Sequence, residues 1–156
     1  MISDISPLTS LSNLEVLNIQ ENKIIDISPL KKLLGLKNLG IGSNPIGDLT
    51  PISYLKDLTL LELTGINASN ISALASLDKL ENLHLGGNQI SDISHLSELK
   101  ALRDLGLGGN QIKSISPLED LTNLYNLELP NNKISDIQPL QSMSNLISLY
   151  LAGNDR

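Results

Sequence analysis

The chain has 156 residues and a formal net charge of -6, with 11 Lys and Arg against 17 Asp and Glu. Its only adjacent basic pair is Lys31-Lys32, so it lacks the clustered basic footprint that nucleic acid requires. No stretch is apolar enough to span a membrane, and the absence of cysteine rules out a disulfide framework.

In chain order, Met1 to Leu11 reads as a turn segment with no strand before it and already in frame with the later repeats, so no signal peptide is expected. The first strand is expected at Leu17-Asn18-Ile19, where apolar residues flank a polar one. The same alternation returns every 22 residues, at Leu39-Gly40-Ile41, Leu61-Glu62-Leu63, Leu83-His84-Leu85, Leu105-Gly106-Leu107, Leu127-Glu128-Leu129 and Leu149-Tyr150-Leu151. Period-two alternation predicts seven short strands. A fixed period of this length predicts a stack of equivalent units, and equivalent strands in a stack run parallel. Leu14, Leu36, Leu58, Leu80, Leu102, Leu124 and Leu146 form a second apolar column. With no Phe and no Trp, the core must be aliphatic throughout.

The return path from strand to strand carries Asp-Ile-Ser-Pro-Leu or a variant of it. Pro7, Pro29, Pro51, Pro117 and Pro139 share one column. Proline lacks an amide hydrogen and has a fixed φ, which suits the first position of a short helical turn. Ser6, Ser28, Thr50 and Ser116 precede four of these prolines (Gln138 the fifth), and their hydroxyls are expected to cap the turn. Too few residues remain for a regular α-helix, so 3-10 turns are expected.

Asparagine keeps the same step at Asn22, Asn44, Asn88, Asn110, Asn132 and Asn154. A chain that turns once per unit leaves backbone N–H and C=O groups inside the stack, each costing about 1–3 kcal/mol if unpaired. A side-chain amide offers donors and an acceptor together, so this column is expected to form an internal ladder. Departures concentrate in the third unit. Ile66 replaces the ladder asparagine, Ala68 a core isoleucine, Asn70 the aspartate and Ala73 the proline. Either the unit has drifted, with Asn67 or Asn70 partly replacing the lost amide, or it marks a kink or a contact patch that includes Leu60. On the first view, Ile66→Asn is expected to raise the melting temperature.

These residues resemble the leucine-rich repeat, in the form Leu-x-x-Leu-x-Leu-x-x-Asn-x-Ile-x-Asp-Ile-x-Pro-Leu-x-x-Leu. The 22-residue length and the Asp-Ile-x-Pro-Leu segment are similar to the bacterial internalin subtype, and the resemblance covers residues 1–156 as one domain of seven repeats. It implies an α/β solenoid, a horseshoe with a seven-stranded parallel sheet on the concave side and 3-10 turns on the convex side. It also implies binding of a protein partner through the concave face, often at a bacterial surface. The separate caps of internalin-like proteins have no counterpart here, so the end leucines and a strand edge are expected to be exposed and to associate end to end. An extracellular or cell-surface location is expected if the chain is part of an internalin-like parent.

With the leucines inside, the residues between them face the concave surface. The candidate partner-binding residues are Val16, Asn18, Asn38, Leu60, Glu62, Asn82, His84, Asp104, Asn126, Glu128 and Tyr150. Seven strands span roughly 29 Å, room for a standard interface of about 800 Å² per partner. Glu62, His84 and Asp104 fall on consecutive strands and pose the question of a metal or acid–base site. No second histidine supports one, since His95 falls in the proline column, and a solvated polar patch is the expected reading. Gly86-Gly87 and Gly108-Gly109 either allow close approach of a ligand or reflect duplication of Leu-Gly-Gly-Asn-Gln-Ile.

No nucleophile–base pair, phosphate loop, metal motif or cofactor motif is present, so the chain does not read as an enzyme. The leading reading is a protein-interaction module. The alternatives are a trimmed or engineered repeat scaffold without a dedicated partner, and an intracellular regulator similar to the phosphatase-binding repeat proteins.

Overall fold

The computed structural model describes residues 1–154. Seven three-residue strands form one sheet in sequence order: β1 (Val16–Asn18), β2 (Asn38–Gly40), β3 (Leu60–Glu62), β4 (Asn82–His84), β5 (Asp104–Gly106), β6 (Asn126–Glu128) and β7 (Ser148–Tyr150). Every neighbouring pair is parallel, and every register joins residues one repeat apart, as in Leu61↔Leu83 and Leu105↔Leu127. The opposite side carries seven 3-10 turns, from Ser6–Ser10 to Gln138–Ser142, and no α-helix occurs among the described residues. The fold is therefore the leucine-rich-repeat solenoid.

The core is a continuous aliphatic line. Leu39, Leu61, Leu83, Leu105 and Leu127 are fully buried, together with Leu36, Leu58, Leu80, Leu102 and Leu124 behind them. Burying each leucine contributes about 1.5–3 kcal/mol, and the total grows repeat by repeat.

Asparagine ties neighbouring units together from within. Asn110 Oδ1 accepts the Ile90 N–H at 3.0 Å, while Nδ2 donates to Leu85 O at 3.0 Å and Leu107 O at 2.9 Å. Asn44 makes the same set to Ile24, Ile19 and Ile41, each at 3.0 Å. Asn44, Asn88, Asn110 and Asn132 are buried, and no buried side-chain N or O among the described residues lacks a partner.

The 3-10 turns are capped differently from the sequence expectation. No hydroxyl of Ser6, Ser28 or Thr50 caps its turn. The carboxylate two residues earlier accepts the backbone N–H instead, from Ser6 to Asp4 at 2.8 Å, Ser28 to Asp26 at 2.8 Å and Thr50 to Asp48 at 2.9 Å. The hydroxyls of those residues donate to the same carboxylates. A carboxylate is the stronger acceptor, and at this spacing it reaches the N–H with a short side chain.

The third repeat also departs from expectation. Ile66 is buried. Neither Asn67 nor Asn70 replaces the missing amide: Ile46 N–H turns to Asn44 O at 2.9 Å, and Asn70 caps Ser72 at 2.9 Å.

Candidate functional site

The sheet face is built from residues that alternate with the buried leucines. Asn38, Leu60, Glu62, Asn82, His84, Asp104, Asn126 and Glu128 are partly exposed on it, flanked by the more open Val16 and Asn18 on β1 and Tyr150 on β7. Register places Asn38, Leu60, Asn82, Asp104 and Asn126 in one row. Glu62, His84, Gly106, Glu128 and Tyr150 occupy the next.

The middle of the face is a polar network. Asn126 Nδ2 donates to Asp104 Oδ1 at 2.8 Å and to Glu128 Oε1 at 3.3 Å. His84 Nε2 lies 3.9 Å from Asp104 Oδ2, too far for a hydrogen bond but close enough to attract if the ring is protonated. Glu62 is engaged separately, with Oε1 accepting the Thr64 N–H at 2.8 Å. Glu62, His84 and Asp104 thus do not form one cluster. No group of three or more His, Cys, Asp and Glu among the described residues is arranged to hold a metal ion. His95 lies in the turn Ser94–Leu96 on the opposite side.

Two glycines shape this floor in a way that strand alternation does not reveal. A Cβ on Gly106 would sit 2.8 Å from His84 Nδ1, and one on Gly40 would sit 2.8 Å from Gln20 Nε2 and 3.3 Å from Asn18 Oδ1. Each glycine is the bed on which a side chain of the preceding strand lies. Gly87 and Gly109 have a different role. They occupy a position of left-handed backbone, with φ of +64° and +68°, which Glu21, Ser43 and Asn131 also adopt in other repeats. The second glycine of each recurring Gly-Gly pair is therefore explained by the turn that precedes each ladder asparagine.

Charge distribution separates this face from its margins. The two rows of this face contain Glu62, Asp104 and Glu128 and no Lys or Arg. At the strand margins, cations are matched by acids of a neighbouring repeat: Lys37–Glu15 at 3.0 Å, Lys79–Asp57 at 2.6 Å and Arg103–Glu81 at 3.8 Å. The carboxylates of the face have no such cation.

Known proteins share this architecture. The family model for leucine-rich repeats (two copies) matches residues 78–120 and 100–142. No curated protein matches the chain significantly. Among solved structures, internalin C2 of Listeria monocytogenes is 37% identical with a TM-score of 0.96, covering 98% of this chain and 68% of that one. The internalin inlF of the same organism is 37% identical with a TM-score of 0.81, covering 94% of this chain and 50% of that one. The leucine-rich-repeat ectodomain of the Arabidopsis receptor kinase HAESA, solved with an N-terminally extended IDA peptide hormone ligand, is 25% identical with a TM-score of 0.82. There the match covers 97% of this chain and 28% of that one.

Proposed function

The chain belongs to the leucine-rich-repeat family with an internalin-like fold, a class of protein-interaction module, and from that premise we propose that its concave face binds a protein partner presenting Lys and Arg. One observation carries this reading. Glu62, Asp104 and Glu128 lie on the concave face without a Lys or Arg partner, whereas the margin cations are already paired. A basic partner would neutralise these carboxylates and be steered to them in a salt-dependent manner. Leu60, Val16 and Tyr150 supply the apolar contact that charge alone does not give.

Selection of phage-displayed peptides on the immobilised protein tests this. Binders enriched in Lys and Arg are expected, with affinity lost in the triple variant Glu62→Gln, Asp104→Gln, Glu128→Gln. Replacing the remote acids Glu98 and Asp120 by Gln should leave binding intact. Binders without basic residues, or binding indifferent to the concave triple change, would overturn the reading.

Self-association belongs to the same proposal. Ile137 is 55% exposed and Leu149 42%, whereas their equivalents Ile115 and Leu127 are buried. Ile147 and Tyr150 extend that apolar end face. Sedimentation at rising concentration is expected to show dimers that Leu149→Glu abolishes; a monomer at every concentration would remove this part.

A further inference from the structure

We propose that the solenoid is hinged between its second and third repeats, dividing into two separately opening blocks. Along the sheet this junction is intact. Beyond the β2–β3 pairing, Ile41 N–H donates to Glu62 O at 3.0 Å and Ser43 N–H to Thr64 O at 2.8 Å. Past Thr64 the backbones of the two return segments share no hydrogen bond, and the bonds that cross are made by exposed side chains, from Lys56 Nζ to Ser76 Oγ and from Lys79 Nζ to Asp57 Oδ1, each at 2.6 Å. Ile66 stands where an asparagine would reach back to the preceding repeat. In other repeats the next amide also crosses the junction, from Lys23 to Ile2 O, Gln89 to Ala68 O, Gln111 to Ile90 O and Lys133 to Ile112 O, each at 2.8 Å. The Asn67 amide makes no such bond to Ile46 O.

The cause is visible in the third repeat itself. Asn67 adopts a left-handed φ of +61°, the only residue of its column to do so among those described. The segment is drawn toward the fourth repeat, where Asn88 Oδ1 accepts both Ile66 N–H at 3.1 Å and Ala68 N–H at 3.0 Å. The ladder oxygens of Asn44, Asn110 and Asn132 each accept a single backbone N–H. A cavity of about 200 Å³ opens on the abandoned side, between Ile46–Thr50 and Asn67–Ala73. Pro45 weakens the same region one repeat earlier, because it has no amide to give to Ile24 O, although Asn44 keeps that junction laddered.

In a stack where each unit touches only its neighbours, one weak junction sets the boundary between cooperative blocks. Here the blocks are the repeats up to β2 and those from β3 onward, the latter tied by Asn88, Asn110, Asn132 and Asn154. Opening on the convex side leaves the sheet paired and changes its curvature beside Leu60 and Glu62. The hinge is thus placed to adjust the concave face.

Native-state hydrogen exchange in sub-denaturing urea, read by mass spectrometry, tests this. Amides of residues 14–43 are expected to open together with protection at least about tenfold below that of residues 83–129, with the boundary between Gly47 and Ala68. A variant carrying Thr64→Gly, Ile66→Asn, Asn67→Gln, Ala68→Ile, Asn70→Asp and Ala73→His reproduces the fourth repeat and is expected to merge the two blocks. Uniform protection across the native chain, or a folded graft that keeps the gap, would overturn the hinge. Should the graft not fold, the native profile decides alone.

Discussion

At the scale of single residues, the asparagine ladder and the aspartate caps do different work. Asn110→Ala would leave the buried Ile90 N–H and the Leu85 and Leu107 carbonyls without their partner. Chemical denaturation should show a loss of about 2–4 kcal/mol, several unmade buried bonds at once. A loss under about 0.5 kcal/mol would mean that water replaces the amide. The caps instead make stability depend on pH. Backbone and hydroxyl hydrogen bonds from Ser94 hold the Asp92 carboxyl below its ordinary value of 3.8, as those from Ser6 do for Asp4 and those from Ser28 for Asp26; at Asp48 the Thr50 hydroxyl leads. A depressed folded value means the stabilisation is fully present above the unfolded carboxylate range and is lost as pH falls through the folded value. Melting temperature should therefore decline below about pH 4. Replacing Asp4, Asp26, Asp48 and Asp92 together by Asn should flatten that decline while keeping the turns, since Asn70 already caps Ser72 this way. An unchanged acid profile would place the titrating groups elsewhere. The aspartate column was as regular in the sequence as the serines beside it, but spacing alone does not say which side chain reaches the amide. Both can accept, and only the turn geometry selects the carboxylate.

At the scale of elements, strands and register were legible because each apolar position recurs at one step and a parallel stack allows one pairing. Leu127 is fully buried and Leu149 is not. Leu127→Ala should cost about 2–5 kcal/mol and Leu149→Ala clearly less, as judged by urea unfolding. Similar losses would indicate that β7 is covered. The third repeat was legible as irregular but not in its consequence. Ile66→Asn taken alone reads as ladder repair in the sequence. In the structure Ile66 is buried, Ile46 N–H is satisfied by Asn44 O, and Ile41 O accepts from Asn44 Nδ2. The single change should thus lower stability by about 1–3 kcal/mol, by placing an amide in an apolar site. A higher melting temperature would show that the backbone returns to the regular path. The left-handed Asn67 gave no periodic signal, and the loss of backbone bonds at its junction emerged only from the structure.

At the scale of the whole molecule, the leucine columns place one face of seven strands outward, and the charges sort themselves around it. Margin cations meet acids of a neighbouring repeat, and the carboxylates of the middle face an open surface. The rows of that face were readable from the alternation of each strand. The bedding of His84 on Gly106 was not, because it depends on contact between strands. The most direct measurement is an amide chemical-shift titration of the isotope-labelled protein with a selected Lys- and Arg-rich peptide. The account predicts perturbations centred on Glu62, Asn82, His84, Asp104, Asn126 and Glu128 that weaken as salt rises. Perturbations centred on the convex turns Ser94–Leu96 and Ser116–Leu118, with the strand residues unmoved, would contradict it.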